Sequence, residues 1–223
     1  MHIRSKKRIF AAITILYNYK IMKKLLLSIM FIGCAMTAAA QEGFTVKFQG
    51  AKPSIGDFIT AYVQPTYGED GEETDESTNA LRRAWDRHRK GQKQPEGVTF
   101  TLDAKNGFAC CEFKYNDGED EQLSRIEMCY WNEADQKHKL FACSRWSYVN
   151  GKPELGQYDG IVFFRYDNAT RKMAFVAPPG FREENDLVTY SLPRTGRDIV
   201  VTYWKSGTPQ PKVLKFNGTK FSF

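Results

Sequence analysis

The segments Val98-Thr-Phe-Thr-Leu102, Phe108-Ala-Cys-Cys-Glu-Phe-Lys-Tyr115, Ser124-Arg-Ile-Glu-Met-Cys-Tyr-Trp131 and His138-Lys-Leu-Phe-Ala-Cys-Ser-Arg-Trp-Ser-Tyr148 follow one another with short polar connections. Each is rich in β-branched, aromatic and sulfur-bearing residues, a composition that suits a pleated, half-buried surface. The connections include Asn106-Gly107 and Asp117-Gly118, which supply the positive φ of tight hairpins. Strands joined in this way pair antiparallel with their neighbours. The same signature extends to residues 44–48, 57–63, 160–166, 172–176, 187–192, 198–204, 212–216 and 219–223, the last two joined by Asn217-Gly218. The sequence therefore predicts an all-β fold, an antiparallel meander of about ten to twelve short strands forming a sandwich or barrel. A loose echo links Ile126-Glu-Met-Cys-Tyr-Trp131, Ile161-Val-Phe-Phe-Arg-Tyr166 and Ile199-Val-Val-Thr-Tyr-Trp204, a pattern that blade repeats and generic strands both produce.

One stretch interrupts the strands. Residues 68–97 hold an acid run (Glu69, Asp70, Glu72, Glu73, Asp75, Glu76) and then a helical pattern near 79–90, capped by Ser77 or Thr78 and ended by Gly91. Leu81, Ala84, Trp85 and His88 share one face, and Arg82, Arg83, Arg87, Arg89 and Lys90 share the other. One reading is an anion-binding helix with Arg82, Arg83 and Trp85 as the site. The other, which the upstream acids favour, is a helix laid on the sheet by Leu81 and Trp85 with its arginines solvated. The stretch is expected to be an insertion into a single β-rich domain spanning 41–223.

Charge argues against a polyanion partner. The 223 residues carry 32 Lys+Arg against 26 Asp+Glu. Seven of the 32 (Arg4, Lys6, Lys7, Arg8, Lys20, Lys23, Lys24) lie before residue 41, where there is no acid, so residues 41–223 hold 25 basic and 26 acidic groups. A net −1 has no overall nucleic-acid footprint. Met22-Lys23-Lys24, the apolar run Leu25–Ala35 and Ala38-Ala39-Ala40 read as an export signal cut before Gln41, with residues 1–21 an over-called start. The expected location is periplasmic or secreted. The alternative is lipid anchoring through Cys34, since Phe31-Ile-Gly-Cys34 loosely resembles a lipobox. No transmembrane helix is expected, because no run of eighteen apolar residues follows the signal.

Catalytic signatures are sparse. His-x-x-x-His, Cys-x-x-Cys, Gly-x-Ser-x-Gly and glycine-rich phosphate loops are all missing, so no cofactor and no metal site is expected. Of the four cysteines after the signal, Cys110 and Cys111 are adjacent and point to opposite faces of one strand. Pairing Cys129 opposite Cys143 also sets Trp131 opposite Phe141 and Glu127 opposite Arg145, which favours that register and makes a Cys129–Cys143 disulfide geometrically open. Free buried thiols fit the same residues equally well.

The leading functional expectation is an exported non-catalytic binding or interaction module of a bacterial cell envelope, its partner a protein or a glycan. Trp146, Tyr148 and Tyr158, around the long connection 145–159, can form a stacking surface for a sugar ring or a partner side chain. The competing view places these aromatics in the sheet core. Two alternative functions remain, a glycan- or peptide-hydrolase with a spatially assembled carboxylate pair and a small outer-membrane β-barrel ending at Phe221 and Phe223. Asn168-Ala-Thr170 and Asn217-Gly-Thr219 fit the glycosylation pattern, but both Asn are better explained as turn residues.

Overall fold

A computed structural model describes residues 43–64, 76–154, 156, 159–182, 187–205 and 207–223. Residues 1–42, which hold the expected export signal, Cys34 and the expected cut before Gln41, lie outside the described residues, as does Tyr158. The described residues are mostly β, with twelve strands in two antiparallel sheets and two helices among them. In chain order these are β1 (Phe44–Thr45), α1 (Ile55–Tyr62), α2 (Glu76–Arg89), β2 (Val98–Asp103), β3 (Phe108–Asp117), β4 (Asp120–Asn132), β5 (His138–Val149) and β6 (Lys152–Glu154). They continue as β7 (Gly160–Asp167), β8 (Lys172–Phe175), β9 (Val188–Ser191), β10 (Ile199–Lys205), β11 (Thr208–Phe216) and β12 (Phe221–Ser222).

The larger sheet runs β1-β8-β7-β5-β4-β3-β2, with β6 paired to β5, and the smaller runs β12-β11-β10-β9. The meander expected from the hairpin turns is thus present in each sheet. Gly107 at φ 68° and Gly118 at φ 63° make the β2–β3 and β3–β4 turns. The three echoing segments are β4, β7 and β10, and the last belongs to the other sheet.

Period-two alternation gives the larger sheet two buried faces. On one, Ala109, Cys111, Ile126, Met128, Phe141, Cys143 and Tyr166 pack under both helices; on the other, Cys129, Trp131, Leu140, Ala142, Trp146 and Phe163 pack against the smaller sheet. A sheet covered on both sides differs from the lipid-facing shell that an outer-membrane barrel presents. Among the described residues no helix is long and apolar enough to cross a membrane.

Residues 57–63, expected as a strand, form α1 instead. The run Phe58-Ile-Thr-Ala-Tyr-Val63 has strand composition, but Ser54 and Asp57 close a capping box, Asp57 N–H donating to Ser54 Oγ and Ser54 N–H to Asp57 Oδ2. That cap satisfies two orphan donors and starts a helix whose buried Ile55, Phe58 and Ile59 fall at three- to four-residue spacing. α2 stands where a helix was expected, and Leu81, Ala84 and Trp85 are buried against the same core. The Trp85 indole donates to Thr60 Oγ1 at 2.9 Å, and its ring covers Gly56, where an added Cβ would meet it at 2.9 Å. This docking joins the two helices.

The register at the cysteines is one residue away from the expected one. Cys129 pairs with Ala142 and Cys143 with Met128, Trp131 pairs with Leu140, and Glu127 with Ser144. Cys143 therefore belongs to the helix face and Cys129 to the opposite face, and both are free thiols. The connection between β4 and β5 decides this. Asp135 Oδ1 accepts from Lys137 N–H (2.9 Å) and His138 N–H (3.1 Å), Gln136 sits at φ 58°, and Glu133 N–H donates to His138 O. A loop closed with that geometry pairs Asn132 with Lys139, and a shift of one residue reverses every side chain.

Among the described residues the far part of β11 has β10 as its only strand neighbour, because β12 pairs at Lys215 and Phe216. Pro209 and Pro211, which have no N–H to offer, occupy that edge.

Candidate functional site

At one end of the larger sheet, alternation sends successive residues of β5 and β7 into two different polar environments. Lys139 pairs with Asn132 on β4 and with Tyr166 on β7, and all three sit on the helix face. His138 pairs with Asp167, and Leu140 with Arg165, on the opposite face.

On the helix face a cavity of about 400 Å³ opens, lined by Phe48, Ala51, Lys52, Pro53, Asn132, Gln136, Lys139, Tyr166, Asn168 and Arg171. Three connections converge on it, the β1–α1 segment, the β4–β5 loop and the β7–β8 turn. Lys139 and Tyr166 form its deep part, at 6% and 1% exposure, whereas Lys52 and Arg171 are exposed. The Lys139 ammonium donates to Asn132 Oδ1 and lies 5.1 Å from the Tyr130 ring centroid. Burial, reinforced by the positive charge of Lys52, holds its pKa below the usual lysine range. Burial pushes the Tyr166 phenol upward, so it stays protonated and able to donate at neutral pH.

The rim is built by backbone hydrogen bonds between loops. Asn168 N–H donates to Lys137 O, Asn168 Nδ2 to Gln136 O, and Val46 N–H to Arg171 O. The Arg171 guanidinium lies 4.7 Å over Phe48. None of the described lining residues is acidic. Asp57 lies in an adjoining surface hollow with Lys52 and Ser54, but its Oδ2 already accepts from the Ser54 N–H and hydroxyl at 2.7 Å each.

The opposite face carries an ion network that the sequence spacing did not suggest. His138 Nδ1 lies 2.5 Å from Asp135 Oδ2, and His138 Nε2 lies 3.6 Å from Asp167 Oδ2. Arg165 bridges Glu133 at 2.5 Å and Asp135 at 3.4 Å. Glu133, Asp135 and His138 present atoms within 4.8 Å of one another, the spacing of a metal-ligand set, but the guanidinium of Arg165 already pairs with both acids. The hydrogen bond from His138 holds the Asp135 carboxyl below its ordinary value, which opposes the protonated form that the general acid of glycoside hydrolysis needs.

Asp135 of this network and Asp103, ion-paired with Arg194 elsewhere in the fold, give a pH signature. The hydrogen bond from His138, with backbone donors from the loop, lowers Asp135 to about 2, and Arg194 and Asn106 lower Asp103 to about 2. Both carboxylates have folded pKa values below their unfolded value, so their stabilising contribution is present above the unfolded pKa near 3.8 and is lost as pH falls through about 2. Denaturant midpoints measured between pH 5 and 2 should fall across this window, and Asp135→Asn with Asp103→Asn should flatten the fall. An unchanged slope in the double variant would reject the assignment.

The aromatic residues singled out by sequence are placed differently. Trp146 is 6% exposed, packs on Tyr190 and donates its indole N–H to Ser144 Oγ at 2.8 Å; it is a core residue with no open ring face for stacking. Tyr148 packs half-buried against the same core, and burial raises its phenol. On α2, Arg82 donates to Asn79 Oδ1 at 2.7 Å, Arg83 lines a shallow cavity with Arg87 and Gln94, and Trp85 is 5% exposed beneath His88 and Phe100. The helix therefore offers no stacking plate. Burial pushes the Cys110 thiol up to about 12 and that of Cys129 well above its ordinary value, which keeps both unreactive.

Lys52, Lys139 and Arg171 escaped the sequence reading, because they are isolated basic residues in three different connections and only the paired strands bring them together. No protein-family model, no curated protein and no solved structure matches this chain, so its site is read from its own chemistry.

Proposed function

We propose that the protein is an exported, non-catalytic binding module of a bacterial cell envelope, and that its ligand seats in the cavity at the Lys139 end of the larger sheet. The observation that carries this reading is the cavity itself. It is large enough for a group of about monosaccharide size, and most of its lining side chains are polar and converge on one hollow, with Phe48, Ala51 and Pro53 as its apolar wall, a make-up suited to a polar ligand. Among the described residues its lining holds no carboxylate pair, which supports holding a ligand over hydrolysing it.

Glycan-array binding of the protein purified from its own cells tests the reading. Binding should be retained on a defined set of sugars and should be lost in Lys52→Ala/Arg171→Ala, whose side chains are exposed, Arg171 giving up only its contact over the Phe48 ring. Binding that survives in that variant would move the site elsewhere. The same preparation should have the intact mass of residues 41–223; a lipid-modified Cys34 would replace export with membrane anchoring.

A further inference from the structure

We propose that this cavity is a receptor for an oxyanion, a carboxylate, phosphate or sulfate group carried by a small ligand, held by Lys139 and Tyr166 at its floor and by Lys52 and Arg171 at its rim. The inference rests on the binding-module reading and names the ligand chemistry for it.

Lys139 is the starting point. An ammonium removed from water normally lies against a carboxylate, because desolvation disfavours the charged form unless an opposite charge compensates. Here its neighbours are a neutral amide, Asn132, and the face of Tyr130. Both are weaker compensation than an anion.

The surroundings make the isolated charge harder to explain as packing. Lys52 and Arg171 line the same cavity, and Lys52 is close enough for its field to disfavour the Lys139 ammonium further. Like charges gathered around a hollow repel, and an anion in the hollow reverses the sign of that interaction for all three at once. General basicity of the chain does not account for the gathering, since residues 41–223 carry more acids than bases.

The remaining polar lining also suits an oxyanion. Asn132, Gln136 and Asn168 have amide donors, and the phenol of Tyr166 stays protonated. Among the described residues three non-glycine positions have positive φ, and two of them, Gln136 at 58° and Arg171 at 57°, line this cavity. Conformations of that kind persist where the surrounding structure enforces them, and they gather at ligand clamps.

The test is titration calorimetry at low ionic strength with pyrophosphate, sulfate and glucuronate as separate probes and glucose as the neutral control. At least one oxyanion should bind at millimolar concentration or below and raise the melting temperature, and glucose should do neither; the probe that binds identifies phosphate, sulfate or carboxylate as the source. Lys139→Met and Lys52→Ala/Arg171→Ala should each weaken binding about tenfold or more, the loss expected for a charged hydrogen-bond partner. Lys105→Ala/Lys220→Ala, which removes two exposed charges outside the cavity lining, should leave it unchanged. Lys139→Met should also melt at or above the temperature of the unliganded parent, because it relieves a buried charge; if it fails to fold, the rim variant decides. Absence of binding by all three oxyanions, or equal binding by the cavity variants, overturns the proposal. Neutral glycans that bind in a rim-sensitive way while oxyanions do not would overturn this inference and leave the binding-module reading standing. Failure of both probe sets would overturn the two together.

Discussion

Replacing Phe58 by alanine is expected to lower unfolding stability by about 3–5 kcal/mol, the cost of emptying a fully buried aromatic site. Phe58 is 0% exposed and is the hub through which α1 meets the larger sheet, with ring centroids 5.0 Å from Tyr130, 5.8 Å from Phe141 and 5.2 Å from Tyr166. No nearby side chain is free to fill the space, since Ile55, Ile59, Met128 and Phe141 are themselves fully enclosed. For a chain of this size the loss corresponds to a fall in melting temperature of roughly 6–20 °C. Phe58→Leu, which keeps most of the volume, should cost less, about 1–2 kcal/mol. Urea denaturation of the two variants checks both values. A loss below about 1 kcal/mol for alanine would mean that α1 is not docked where it is described. Because Phe58 also supports Tyr166, the alanine variant should bind more weakly at the cavity even at temperatures where it remains folded.

Gly180→Ala should be nearly as damaging for a different reason. Gly180 has φ 77°, and a Cβ there would stand 2.0 Å from the Phe221 carbonyl oxygen. The left-handed backbone alone costs an alanine about 1–2 kcal/mol. The clash adds to this, because the obstacle is backbone and because Phe221 N–H is tied to Pro179 O at 2.8 Å, so relief requires breaking that bond and drawing β12 away. The sum is about 3 kcal/mol, since the withdrawn Phe221 ring also leaves its contacts with Trp131, Phe163 and Phe216. Gly196→Ala is the matched control. It has φ 84° but nothing within 4 Å of the added carbon, so strain alone should cost about 1 kcal/mol. Equal losses in the two variants, measured by thermal melts under one condition, would show that the close approach to Phe221 contributes nothing.

Much of the architecture was legible from local chemistry. The hairpin strands β2 to β5 were readable because alternation and turn residues act over a few positions, and Asn106-Gly107 and Asp117-Gly118 supply the positive φ at which the chain reverses. The buried face of α2 was readable for the same reason, since Leu81, Ala84 and Trp85 recur at helical spacing. α1 was not, because the strand composition of residues 58–63 outweighed a capping box that spans only Ser54 to Asp57. The cysteine register was not either: the patterns opposite Cys129 suit two alignments that differ by one residue, and the choice belongs to the backbone of the β4–β5 loop around Asp135 and Gln136.

The candidate site lay further still from the sequence. Trp146 and Trp85 drew attention because aromatic and arginine-flanked positions are conspicuous in a linear reading, yet both rings are needed to fill the core. Lys139 looked like one more polar residue of an alternating strand, and its meaning changed when pairing with Asn132 and Tyr166 placed it under the loops that carry Lys52 and Arg171. Residue types and short-range periodicity determined which segments became strands and which helix faces became buried. Tertiary structure alone decided which isolated charges meet, because that depends on strand register and loop closure, and both are set by contacts between residues far apart in the chain.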